Sequence, residues 1–282
     1  MAAAKSHPSF RVLRLAVCLA ALLCLSAFAA NTARALSAHG QLLRLRAGGT
    51  TFKASKSNNW FGYNQGALEK GEKLFHAITG NWTVPRASQH TKHQSEDSSD
   101  WIGIGGGCEN TSCSVTDSTL IQTGTEQDVS SSGRPSYSAW WEVIPSPSVT
   151  IGMKIHPGDR MHAAISQVMP GVWKITIKNL TRHRTFSTTV PYSSTEGTAE
   201  WIEETPLVIG GNAGLAPLPR LSRTRFDHAT ANGHPAKLRT SQEIDLTASN
   251  GKVIGVPSSP DPDRDGFNAC AWATTCRRPG SS

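Results

Sequence analysis

Polar residues set inside apolar, strand-like runs are where this chain has the means to do chemistry. In Leu120-Ile-Gln-Thr-Gly124, strand alternation turns Gln122 away from Ile121 and Thr123. In Ala199-Glu-Trp-Ile-Glu-Glu204, Glu200 and Glu204 share one face while Trp201 and Glu203 take the other. Trp140 and Glu142 project together from Ser138-Ala-Trp-Trp-Glu142, and Trp101 opens Trp101-Ile-Gly-Ile-Gly105. Tryptophans beside carboxylates and an amide on one sheet face describe a groove for an extended ligand. An ordinary solvated face with scattered acids has the same spacing, so the spacing alone leaves both readings open.

Other chemistries lack their residues. The sequence has no Gly-x-Ser-x-Gly elbow, no His-Glu-x-x-His pair and no Cys-His arrangement. Gly103-Ile-Gly-Gly-Gly107 is followed by no helical pattern that would present an N-terminus to phosphate. His90 and His93 lie close together, inside a polar loop. Asp261-Pro-Asp-Arg-Asp265-Gly266 begins like a calcium loop, but its twelfth position is Trp272, where a bidentate Glu should stand. An acidic turn before a last strand is the expectation there. Neither a metal nor a cofactor is expected.

The elements that must position these residues follow from composition and patterning. The 282-residue chain is 38% hydrophobic and 17% charged, enough apolar material for a sizeable core. A formal charge of +7 suggests nucleic acid until the charge is located. Lys5, Arg11 and Arg14 precede an apolar run over 15–29, and Ala33-Arg-Ala35 offers small residues for cleavage. That is the pattern of a secretory signal peptide over residues 1–35. The segment carries four basic residues and no acid, which leaves the remainder at +3 without a basic stripe. The expectation is a secreted monomer with no nucleic-acid partner and no membrane association after signal cleavage.

Residues 36–56 read as a leader or short propeptide. From 57 to 282 the pattern is short apolar or alternating runs, over 75–84, 100–104, 119–123, 137–143, 149–155, 160–167, 172–180, 185–190 and 199–204. Gly, Pro, Ser and Asn turns separate them, which predicts one all-β domain, a sandwich or barrel. Cys108, Cys113, Cys270 and Cys276 remain after signal removal, and in an exported chain they are expected in disulfides. Three connectivities are possible; close neighbours favour 108 with 113 and 270 with 276. Neither spacing is that of a zinc knuckle.

Eight segments, in order, resemble the glutamic peptidases of the eqolisin family. They are Ser57-Asn-Asn-Trp-Phe-Gly-Tyr63, Gly80-Asn-Trp-Thr-Val-Pro85, Trp101-Ile-Gly-Ile-Gly105, Leu120-Ile-Gln-Thr-Gly-Thr125, Tyr137-Ser-Ala-Trp-Trp-Glu142, Gly158-Asp159, Asn179-Leu-Thr181 and Ala199-Glu-Trp-Ile-Glu-Glu204. The resemblance implies an antiparallel two-sheet β-sandwich of concanavalin A-like or jelly-roll type, with substrate on the concave side. It also implies a catalytic Gln/Glu pair. The family's I/L-Q-T-G glutamine matches Gln122, and its glutamate, taken as the last acid of the A-E-aromatic-I-x-E segment, matches Glu204. Trp101, Trp140 and Glu142 match residues that line or support the cleft. Where fungal members carry Asp in W-V-G-I-D-G, this chain has Gly105.

The function so implied is a secreted endopeptidase that hydrolyses polypeptide substrates at acidic pH. Glu204 would activate water and return its proton, while Gln122 would stabilise the oxyanion. An ordinary Glu titrates near ~4.3, which suits an acidic medium. Two other functions fit the same residues. One is a secreted carbohydrate-binding module with tryptophans in a groove; the other is a glycoside hydrolase using Glu142 and Glu204 as its two carboxylates.

Overall fold

Burial alternates residue by residue along Ala77–Thr83 and Val172–Asn179, the pattern of strands with one face on a core and one toward solvent. A computed structural model describes residues 56–209 and 214–280, together with the backbone of Leu36–Ala38 and Phe52–Lys53. The expected signal peptide and most of the expected leader lie outside the described residues.

In chain order the principal strands are β1 (Trp60–Gly66), β2 (Ala77–Thr83), β3 (Glu96–Gly105), β4 (Leu120–Val129), β5 (Pro135–Val143), β6 (Val149–Ile151) and β7 (Arg160–Met169). They continue as β8 (Val172–Asn179), β9 (Arg184–Pro191), β10 (Thr198–Glu204), β11 (Thr224–Ala231), β12 (Glu243–Thr247), β13 (Val253–Pro257) and β14 (Phe267–Ala271). One antiparallel sheet runs β6-β5-β4-β3-β10-β1. The other runs β9-β8-β7-β2-β11-β14-β13. Strand β12 pairs with β1 through Glu243 and Ile244 and with β13 through Leu246 and Thr247, so it joins the sheets along one side. The expected sandwich is therefore the observed architecture.

Every run expected between 75 and 204 forms a strand. The run at 119–123 lengthens to Val129, and the one at 149–155 stops at Ile151. Between the sheets lies one apolar core, to which Ile102, Ile121 and Trp201 contribute from the first sheet and Ile78, Ile165, Ile175 and Phe226 from the second. A smaller apolar cluster joins Trp60, Trp101, Leu120, Trp140, Ile144, Ile202 and Ile244. Cys108–Cys113 and Cys270–Cys276 are disulfides, the pairing that sequence proximity favours.

The inner face of the first sheet also buries two acids side by side. Asp100 and Glu203 are register partners on β3 and β10 and are fully buried. Asp100 Oδ2 accepts from Gln127 Nε2 at 2.7 Å and from Thr125 Oγ1 at 3.2 Å. Thr224 Oγ1, from the opposite sheet, donates to Glu203 Oε2 at 2.7 Å. Burial pushes both carboxyls above their ordinary range; Asp100 raises Glu203 further, while the hydrogen bond from Glu203 favours the Asp100 carboxylate, so Glu203 holds the proton between them. The folded chain thus keeps a proton here that the unfolded chain releases above about pH 4, so this pair lowers stability as pH rises, by up to about 1.4 kcal/mol per pH unit per retained proton. Glu203→Gln replaces the proton-holding carboxyl with a neutral amide whose oxygen can still accept from Thr224, and is expected to flatten that slope. Relative to wild type, the variant should gain about 1–3 kcal/mol between pH 4 and pH 7 in guanidinium titrations. A constant difference across that range would refute the shared-proton reading.

Candidate active site

Antiparallel partners point to the same face, so register alone sorts the outer face of the first sheet into rows. Across β1, β10, β3, β4 and β5, one row reads Trp60, Glu204, Ser99, Glu126, Ser138. The next reads Gly62, Ile202, Trp101, Gly124, Trp140. A third reads Asn64, Glu200, Gly103, Gln122, Glu142. The middle row is an apolar band between two polar ones. All the acids and amides of the third row are buried.

Gln122 Nε2 donates to Glu142 Oε2 at 2.7 Å. An amide nitrogen carries two donors, so this bond uses one and fixes the direction of the other. On the far side of Gly103, which has no side chain, stands Glu200. Neither Glu200 oxygen has a hydrogen-bond partner among the described residues. Burial pushes its carboxyl well above the ordinary range. A fully buried acid with high proton affinity, facing an oriented amide, is equipped to take and return a proton.

Glu204 occupies a different position. Trp101 Nε1 donates to its Oε2 at 2.7 Å, and Asn59 Nδ2 donates to its Oε1 at 3.2 Å. Its register partner on β3 is Ser99, four residues from the Gly103 that faces Gln122. That offset is about 13 Å along the strands, in addition to about 10 Å for two strand spacings. The Trp101 row lies between. The expected pairing of Gln122 with Glu204 therefore does not form; Glu200, two residue pairs along the same face, stands in Gln122's row. Trp101 also stacks edge-on against Trp60, with ring centroids 4.8 Å apart, and Trp140 Nε1 donates to Ser99 Oγ at 3.1 Å. The two tryptophans thus form the floor beside the polar rows and hold Glu204 and Ser99 in place.

A profile described as the peptidase A4 family matches residues 58–262, a span that contains all three rows. This chain belongs to the peptidase A4 family. Membership makes it a glutamic-type peptidase, a hydrolase. Among curated protein sequences, none matches it. Of solved structures, scytalidoglutamic peptidase in complex with a peptide-based transition-state analogue is similar at 20% identity and TM-score 0.61, over 76% of this chain and 98% of that one. SCP-B, an eqolisin in complex with the tripeptide Ala-Ile-His, is 19% identical at TM-score 0.58, again over 76% and 98%. Aspergilloglutamic peptidase from Aspergillus niger is 22% identical at TM-score 0.50, over 62% and 99%. At these identities the likeness is one of fold.

Within this peptidase A4 sandwich, the departure at Gly105 has a backbone cause. Gly105 has φ +98, and a side chain there would collide with the Thr119 carbonyl oxygen. An aspartate cannot simply be restored at this position. Glu142 and Glu204 do not form the carboxylate pair that a glycoside hydrolase requires. Glu142 and Glu204 lie three strands and four residues apart, roughly 20 Å by strand geometry, against the 5–9.5 Å that such pairs require. Sequence reasoning assigned no role to Asn59 and Ser99, because their partners are set by long-range register. Glu200 carried a signal: alternation already placed it on the face of Glu204.

Proposed function

We propose that this peptidase is an exported endopeptidase that cuts polypeptides in acidic medium with Gln122 and Glu200 as its catalytic pair. The observation that carries the proposal is the row in which these two residues flank Gly103. A water between them attacks the peptide carbonyl. Opening of the row to solvent relieves the burial that raises the Glu200 carboxyl; ionised there, Glu200 takes the water's proton and passes it to the leaving nitrogen, while the Gln122 N–H donates to the oxyanion. Glu142 holds the Gln122 amide, and Trp101 and Trp140 offer apolar surface to substrate side chains.

Acidic operation is supported by the inner face, where the Asp100–Glu203 pair keeps its proton and stabilises the fold at low pH. Export is supported by the signal-like segment at 1–35 and by two disulfides. The polar row is buried in the full-length chain, and Leu36–Ala38 pairs with Leu207–Ile209, which begins three residues beyond Glu204. Both features support residues 36–56 as a segment that must leave before substrate enters. The test is N-terminal sequencing of the secreted product, followed by its incubation with casein and with soluble glucans from pH 2 to 8. Casein cleavage confined to the acidic half, by a product beginning near residue 57, is the expected result. Glucan cleavage, or casein cleavage strongest at pH 8, would reject the reading.

A further inference from the structure

The loop after β13 begins like a calcium loop but lacks the twelfth-position glutamate, so an acidic turn is the expectation from sequence; the fold brings a third acid to it from β11. Asp227, on β11, meets Asp261 and Asp265 so that one carboxylate oxygen of each lies within 4.8 Å of the others. Asp261 is fully buried. Its Oδ1 organises the loop by accepting from the Asp265 and Gly266 backbone N–H groups, each at 3.1 Å. Its Oδ2, and Asp265 Oδ1, are buried with no hydrogen-bond partner among the described residues. A buried carboxylate oxygen without a donor is costly unless something positive meets it.

Gly266 shows where these oxygens point. A Cβ at that position would collide with Asp261 Oδ2 and would come within 3.0 Å of Asp227 Oδ1 and 2.9 Å of the Phe226 carbonyl oxygen. Asp261 Oδ2 and Asp227 Oδ1 thus flank one point that only glycine leaves open. Positive groups and donors reach the cluster too: the His228 backbone N–H donates to Asp227 Oδ1 at 3.0 Å, and His228 and Lys237 lie near Asp265. Arg225 reaches Asp227 through the other oxygen, Oδ2, at 3.0 Å, and His228 Nδ1 stands 3.5 Å from Asp227 Oδ1.

We propose that Asp227, Asp261 and Asp265 form a calcium site that ties the 261–266 loop to β11. The donors are all hard oxygens, which suit Ca²⁺ and Mg²⁺ over softer metals. Three carboxylates meeting at one place suit Ca²⁺, which takes six to eight oxygen ligands in flexible geometry, whereas Mg²⁺ keeps several waters and is held by only one or two carboxylates. Asp227 takes the place of the missing glutamate, from a neighbouring strand instead of from the end of the loop. Strand β11 also carries Thr224, the donor to Glu203, so the ion would brace the strand that holds the inner acid pair.

Titration calorimetry of CaCl₂ and MgCl₂ into full-length protein, stripped with EDTA and desalted at pH 7, tests this directly. One Ca²⁺ per chain is expected, with a Kd in the range of about 10⁻⁴–10⁻³ M usual for extracellular modules, and Mg²⁺ at least ten-fold weaker. Thermal melts should rise by several degrees in millimolar CaCl₂. Asp227→Asn and Asp265→Asn should each weaken Ca²⁺ at least ten-fold while keeping the wild-type circular dichroism spectrum. Asp265→Asn is the safer variant, because the loop-organising bonds belong to Asp261. Absence of Ca²⁺ heat and of any melting shift would overturn the proposal. So would Mg²⁺ binding as tight as Ca²⁺, or unchanged binding in both variants.

Discussion

Replacing Glu200 with Gln is expected to reduce kcat/KM for peptide hydrolysis by at least about 10³-fold, the upper part of the range for a lost general acid–base group. The amide is nearly isosteric and no well-formed hydrogen bond reaches either Glu200 oxygen among the described residues; the neighbouring Thr198 hydroxyl acts on it less than burial does, so the substitution removes proton transfer with little loss of structural bonding. It also removes a buried acid that costs stability whenever it ionises, so Glu200→Gln should melt no lower than wild type at pH 6. Glu204→Gln should behave in the opposite way. Glu204 accepts from Trp101 and Asn59, and an amide keeps only one acceptor oxygen for the two donors. The expected outcome is a loss of about 1–3 kcal/mol of stability, from one buried donor left unsatisfied, with kcat within about ten-fold of wild type. Measuring both variants by casein digestion and by thermal melting separates the two glutamates. Inactive but stable Glu204→Gln, beside active Glu200→Gln, would return the catalytic role to Glu204.

These two glutamates also mark how far the sequence could be read. Alternation in Ala199–Glu204 is a local property, and it correctly separated Glu200 and Glu204 from Trp201 and Glu203. Which of the two outward acids meets Gln122 depends on how β10 lies against β3 and how β3 lies against β4. Two residues of slip along a strand keep the face and change the neighbour, so periodicity cannot choose between them. The strands between 75 and 204 were legible because short apolar runs and Gly- or Pro-containing turns mark them locally. The pairing of β2 with both β7 and β11, which closes the second sheet, was not, since its partners are about 80 and 150 positions away in sequence. The disulfides were legible because each closes a short loop. Asp227's meeting with Asp261 was not, because nothing in the local pattern of β11 marks a residue that serves a distant loop.

Gln122→Glu is expected to lower kcat by about 10²–10³-fold with KM changed less than about three-fold, the pattern for loss of a donor used mainly in the transition state. The physical reason lies in the 2.7 Å bond from Gln122 Nε2 to Glu142 Oε2. A carboxylate at position 122 would face the Glu142 carboxyl at hydrogen-bond distance, and the two could coexist only by sharing a proton. That proton would lie between the acids, where it gives nothing to an oxyanion. The residual activity should therefore acquire an additional ionisation in its pH profile, absent from wild type. Glu142→Gln tests the orienting role alone. Its amide oxygen can still accept from Gln122, so the catalytic donor survives, and the expected loss is about ten-fold in kcat with an unchanged profile shape. If Gln122→Glu instead raises KM and leaves kcat intact, Gln122 binds substrate without stabilising the transition state, and the catalytic pair proposed for this sheet is wrong.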